Sequence, residues 1–434
     1  LGERIERLTL ADQNGADVPV RKLAPGEYEA ASPATRFVYE MKLDAPVFDT
    51  DAAHISWLTN ERGFLLPDDL LPLIAGGNGA EKMSARLSFA LPEGWTIASS
   101  VNKGIDGQFQ IADTERAVFF AGQNLREKRQ RAGSLEFSFV TTGEWAFSDE
   151  EAADLASKIL KEHAGTFGGT PQNRAMIVLA PFPRAVAADH WSAETRGETV
   201  TLLSGKYPSK TAALAQLVFP LAHELFHLWV PNALALDGNY DWFYEGFTLY
   251  QALRVAVHLE LLTFQDYLNA LGRAFDAYHA AQGREQLSLL EASKRRWTLQ
   301  PALVYNKGML IAFLYDLNLR QRTKGKRSLD DAYRELFRLY GASQARVDGN
   351  QAALAALNGT AEMQELTRRY VETASPIELS MAIAPFGLRV ETFGSRTRIL
   401  VAEQLSGAQR DLLRKFGYNE NLYGTHGRRA PARN

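Results

Sequence analysis

Up to about residue 142 the chain alternates apolar and polar positions with period two: Phe37, Tyr39, Met41 and Leu43, then Leu87, Phe89 and Leu91, then Leu135, Phe137 and Phe139. Such alternation predicts strands with one side turned to a core. Pro92-Glu93-Gly94 and the stretch from Gly104 to Gly107 supply turns between them, which predicts an antiparallel, sandwich-like β-domain over residues 1–142. The pattern changes after Thr141-Thr142-Gly143. Ser148 and Glu151 are spaced as a capping box, predicting a helix that runs to about His163. Residues 175–180 make a short apolar strand, residues 181–208 read as strand and loop, and the remainder is mostly helical. Thr263 with Asp266 and Ser328 with Asp331 predict further helix starts, while Gly283, Gly325 and Gly341 sit where helices would stop. The reading is multidomain α+β. A mixed domain over 143–262 and a helical domain over 263–392 follow the β-domain. A short segment over 393–434 then has a strand-like run at 398–401 and a polar tail from Gly424.

With 434 residues, 46% of them hydrophobic and 23% charged, the chain has material for several packed domains. A net charge of −3 supplies no positive field for a nucleic acid. The basic runs Lys294-Arg295-Arg296 and 320–327 read as solvated helix ends or loops. There is no cysteine, so a bound metal must be held by imidazole and carboxylate. The most apolar stretch, 212–230, contains Gln216, Pro220, His223, Glu224 and His227, which argues against a membrane span. A chain beginning at Leu1 is either processed or trimmed, and removal of a signal peptide would leave such a start, so a periplasmic or secreted location is expected over a cytoplasmic one.

The sharpest chemistry lies in His223-Glu224-Leu225-Phe226-His227. Two histidines four positions apart on a helix project from one face and can chelate one ion, with Glu224 beside it. Leu221, Leu225, Leu228 and Trp229 would equally suit a core helix with two hydrogen-bonded histidines, but a lone carboxylate in so apolar a helix is costly unless a cation compensates. Pro231 closes this helix, Asp237-Gly238-Asn239 makes a turn, and Asp241 is placed to cap a second helix beginning at Trp242. Glu245, 18 positions after His227, can then return to the metal as third ligand. Two imidazoles and one carboxylate leave a fourth zinc position open, as catalytic rather than structural sites do.

The pair formed by His223 to His227 and by Glu245 to Tyr250 (Glu-Gly-Phe-Thr-Leu-Tyr) resembles the gluzincin zinc metallopeptidases, the group of thermolysin and aminopeptidase N, and within it the glycyl aminopeptidase family. Leu91 to Trp95, Trp229, Ser288 to Ser293, Tyr305-Asn306-Lys307-Gly308, the run from Leu317 to Asp331, Arg369-Tyr370-Val371 and Gly387-Leu388 extend the similarity over residues 35–392. The resemblance implies a thermolysin-like catalytic domain over 143–262, one Zn2+, and an aminopeptidase favouring peptides with small N-terminal residues such as glycine or alanine. Glu224 would be the general base and Tyr305 the phenol that holds the developing oxyanion, although Tyr305 taken alone reads as a buried tyrosine. Relatives place a glutamate upstream of the metal helix to receive the substrate's α-ammonium, which points to Glu194, with Glu198 as a second candidate and His190 as a possible neighbour.

The chain departs from these relatives in three places. Around Glu194 it lacks both glycines and the histidine of the Gly-Gly-x-Glu-His-like sequence, so Glu194 also reads as an ordinary loop carboxylate. Val230-Pro231-Asn232-Ala233 replaces an Asn-x-Lys-Arg-like sequence, and 393–434 is too short for a full PDZ module. An endopeptidase of the same fold, or an inactive metal-containing peptide-binding protein, are the competing readings. The other histidines, His54, His163, His258, His279 and His426, lack ligand spacing and read as surface or packing residues.

Overall fold

The computed structural model describes residues 4–73, 83–296, 301–341 and 345–420. The tail expected from Gly424, with His426, lies outside them. The chain divides into two compact units, one made of residues 1–127, 140–144 and 176–206, the other of residues 128–139, 145–175 and 207–434.

The first unit is β-rich. Ile5–Ala11 pairs antiparallel with Asp17–Val18 on one side and Arg36–Met41 on the other. Along this run Tyr39, Met41 and Leu43 are half-buried while Val38, Glu40 and Lys42 are exposed, as the alternation predicts, and Leu43 packs against the cluster of Phe109 and Phe119; only Phe37 of the expected face stays exposed, at 45%. Trp57–Leu58, Arg62–Leu65, Phe119–Gly122 and Thr96–Ser99 form a second antiparallel sheet in that order. Its strand Phe119–Gly122 is fully buried and feeds alternate side chains to two clusters, Phe120 to one with Trp57, Phe64 and Val178, and Phe119 to another with Phe109 and Ile111. Arg174–Pro181 runs parallel to Thr199–Ser204, and Trp191–Arg196 pairs antiparallel with the latter.

The second unit is mostly helical. Capping boxes open Asp149–Phe167, Phe264–Ala280 and Leu329–Tyr340 at Ser148, Thr263 and Ser328, as their sequences predict. The first of these helices runs past His163 to Phe167 and ends on Gly168 in the left-handed conformation. A buried ionic cluster fixes the helix Thr248–His258. Tyr250 donates to Asp316 at 2.8 Å, Arg254 pairs with Asp330 at 2.6 Å, and Asp316 also accepts from Arg320 and from the backbone N–H of Leu329. Every charge in that cluster has a partner, which is the condition for burying it. The last strand-like run is longer than its sequence suggests: Arg396–Val401 forms a hairpin with Leu388–Phe393. Among the described residues no helix is long and apolar enough to cross a membrane.

Candidate metal centre

The helix Lys210–Phe226 carries His223 and Glu224 in its last turn, and His227 follows as its C-cap, still in helical geometry. All three side chains are buried. The helix ends ahead of Pro231, because the His227 N–H already closes back on the Glu224 carbonyl. After a turn the chain re-enters as a π-helical segment, Trp242–Phe247, which continues into Thr248–His258. Widening the turn in this way re-aims side chains and recurs at functional sites. It brings Glu245 Oε2 to 3.2 Å from His223 Nε2 and 3.6 Å from His227 Nε2, and the two imidazole nitrogens lie 3.0 Å apart. Tetrahedral zinc with bonds of 2.0–2.1 Å would hold its donors about 3.3 Å apart. The three donors thus have the spacing and the chemistry of a divalent-ion site, and Glu224 belongs to the same buried group as both histidines.

Hydrogen bonds select the ligating nitrogens. His227 Nδ1 meets the Val230 carbonyl at 2.8 Å, which assigns its proton to Nδ1 and leaves Nε2 free as a donor to a metal. His223 Nδ1 is buried with no partner among the described residues. Burial opposes protonation of His227, yet the facing carboxylates of Glu245 and Glu224 push its pKa up to about 9. Burial also opposes the charge of Glu245, but the two imidazoles hold its carboxyl well below the usual range. A bound cation would take the place of that proton.

Tyr305 enters the same unit on another π-helical segment, Leu303–Lys307, and burial together with Glu245 raises its pKa, keeping it a neutral phenol. Asp241 does not cap the segment after it, contrary to expectation. Its carboxylate accepts instead from Tyr244 Oη at 2.7 Å and from Arg296 at 2.9 Å. Arg296, read from sequence as part of a solvated basic run, is only 11% exposed and bridges Asp241, Glu245, Tyr244 and Tyr305. Asp241 and Glu245, four positions apart, supply the two carboxylates that this guanidinium meets.

Glu194 lies in the first unit, on Trp191–Arg196. Its carboxylate is held by His54 at 3.2 Å and Arg196 at 2.8 Å, and Arg196 also pairs with Asp68. Burial opposes the charge, but these partners keep the Glu194 pKa below the ordinary glutamate value. His190 pairs with Asp49 at 3.0 Å. His163 is fully buried against Phe226 and Trp229 and meets the Ala222 carbonyl at 2.8 Å, a packing role.

Residues 216–311 match the family model of the M61 glycyl aminopeptidase, and residues 1–118 that of the peptidase M61 N-terminal domain. No curated protein matches the chain. Among solved structures, an aminopeptidase N family protein from Idiomarina loihiensis is similar with a TM-score of 0.76 at 18% identity, over 90% of this chain and 71% of that one. An M1 zinc metallopeptidase from Deinococcus radiodurans gives 0.54 at 16% identity, over 86% of this chain and 85% of that one. A variant M1 zinc metallopeptidase from the same organism, bound to a Tyr-Ser-Ala substrate, also gives 0.54 at 16% identity, over 87% and 86%. Identities this low carry the fold alone, and the fold is that of these multidomain α+β proteins.

Proposed function

As a peptidase that carries the M61 glycyl aminopeptidase domain together with the M61 N-terminal domain, this chain is, we propose, a zinc-dependent aminopeptidase that holds one ion between His223, His227 and Glu245 in a thermolysin-like catalytic domain. The observation that carries the reading is the convergence of His223 Nε2, His227 Nε2 and Glu245 Oε2, 3.0 to 3.6 Å apart, beside the buried Glu224. Zinc, when bound there, would lower the pKa of a water and polarise the scissile carbonyl. Glu224 takes the proton of the attacking water and returns it to the departing amine. Tyr305, kept as a neutral phenol by burial, donates a hydrogen bond to the carbonyl oxygen as negative charge develops there and keeps its proton throughout.

For the substrate's free amine we assign Glu194, whose carboxylate stays charged. We propose a preference for small N-terminal residues such as glycine or alanine, a reading supported by the match of residues 216–311 to the M61 glycyl aminopeptidase model. A second reading, an endopeptidase of the same fold, draws on one observation: the Glu194 carboxylate is already engaged by His54 and Arg196.

The test uses glycyl and alanyl peptides with free or acetylated N-termini. Chelation should abolish hydrolysis and zinc should restore it. Glu224→Gln should retain zinc and lose on the order of 10²–10⁴ in kcat. Wild-type turnover by the Glu224→Gln protein would refute the mechanism, and equal cleavage of acetylated peptides would select the endopeptidase.

A further inference from the structure

Arg296 follows the short helix Leu289–Lys294 and delivers a buried guanidinium to the metal centre. The helix is itself tied to the π-helical segment, since Ser293 Oγ accepts the Trp242 N–H at 3.0 Å. Nη2 of Arg296 reaches Glu245 Oε1 at 2.8 Å and Tyr305 Oη at 2.6 Å, while Nη1 reaches Asp241 Oδ1 at 2.9 Å and Tyr244 Oη at 3.1 Å. The cation also lies 5.2 Å from the Tyr305 ring centre and 5.8 Å from that of Tyr244. One side chain therefore ties the third ligand to the phenol.

The chemistry of guanidinium gives this bridge direction. It has five donors and no acceptor. Glu245 Oε1 must accept from it, so Oε2 is the oxygen left facing the two imidazoles. Tyr305 Oη must also accept, so the phenol's own proton is turned to an anionic oxygen, which in the metal-free centre is the Glu245 carboxylate. Asp241, four positions before Glu245, shares the positive charge, so that Arg296 is held from two points of one segment and Glu245 remains negative toward the histidines. A planar fork suits this geometry, whereas an ammonium group would meet only part of it.

We infer that Arg296 is a positioning residue of the zinc-peptidase reaction, fixing Glu245 as a ligand through one oxygen and Tyr305 as a hydrogen-bond donor; the inference rests on the function proposed above. The test compares Arg296→Lys and Arg296→Ala with wild type, each zinc-loaded. Three quantities are measured: kcat and KM on a glycyl peptide, zinc affinity by competition with a chelator, and the thermal midpoint. Both variants should lose on the order of 10–100-fold in kcat and about tenfold in zinc affinity, the usual cost of removing a partner of a metal ligand, with KM little changed. Millimolar guanidinium should restore part of the activity of Arg296→Ala, which repair of a merely packed side chain would not do. In the Arg296→Lys background, Tyr305→Phe should cost less than it does in wild type, because the two residues act on one step. Wild-type kcat and zinc affinity in Arg296→Lys, or fully additive losses in the double variant, would overturn the inference. If wild type itself fails to hydrolyse peptides, the proposed function falls, while the zinc-affinity comparison still decides whether Arg296 orients Glu245.

Discussion

At the scale of single residues, the metal-free centre is a cluster of charges in mutual compensation. Two imidazole nitrogens 3.0 Å apart require a shared proton or a cation between them, and Glu245 is placed to balance either. Tyr305 stands at the edge of this cluster as a neutral phenol, its oxygen already accepting from Arg296. Replacing it by phenylalanine removes the proposed oxyanion donor while preserving the ring that stacks on the guanidinium. Tyr305→Phe is therefore expected to lose on the order of 10²-fold in kcat, with a smaller change in KM, measured by steady-state hydrolysis of a glycyl peptide. A larger effect on KM than on kcat would assign Tyr305 to substrate binding. Sequence spacing led to His223, Glu224, His227 and Glu245, because these lie in two short stretches whose helical geometry is local. Arg296 was misread because a basic residue in a charged run is ordinarily solvated. Only the distant acids Asp241 and Glu245, folded against it, explain its burial.

At the scale of elements, the site depends on two π-helical segments that cross almost in backbone contact. A Cβ on Gly246 would lie 2.6 Å from the Gly308 Cα and 2.7 Å from the Val304 carbonyl oxygen, and one on Gly308 would lie 2.7 Å from the Trp242 carbonyl oxygen. These obstacles are backbone atoms, which no rotamer change can move. Gly246 directly follows Glu245, and Gly308 lies three residues beyond Tyr305. The glycines therefore set how closely the third ligand and the phenol are carried together. Gly246→Ala is expected to lower stability by about 1–3 kcal/mol in denaturant unfolding and to reduce zinc affinity along with it. An alanine variant with unchanged stability and zinc affinity would mean that the crossing is not a constraint. Capping boxes at Ser148, Thr263 and Ser328 were legible because each needs only four consecutive residues. The π-helical segments were not, since an extra residue in a turn leaves the apolar periodicity on either side nearly unchanged.

At the scale of the whole molecule, two buried histidines give stability opposite pH dependences. Burial, with His227 and His223 nearby, lowers the His163 pKa to about 4. The unfolded chain then binds more protons than the folded one between about pH 6.5 and 4, and stability falls as the solution is acidified through that window. His227 is raised to about 9 in the metal-free protein, so its contribution is present below about 6.5 and disappears as pH rises toward 9. Chelated protein should accordingly show its highest thermal midpoint near pH 6.5. His163→Gln retains a donor for the Ala222 carbonyl but cannot titrate, and it should flatten the acid side. Zinc should remove the alkaline loss, because a ligating imidazole carries no proton on the bound nitrogen. An unchanged acid slope in His163→Gln would remove His163 from this account. The sequence by itself singled out the residues proposed as metal ligands, the starts of three helices at Ser148, Thr263 and Ser328, and a β-rich region ahead of a helical one, because such features are written in short-range spacing. The tertiary structure decided which oxygen of Glu245 faces the imidazoles, what keeps Tyr305 a donor and why Arg296 can be buried. Each of these depends on charges from separate helices meeting where water is excluded, and the energy of such a meeting has no counterpart in local sequence.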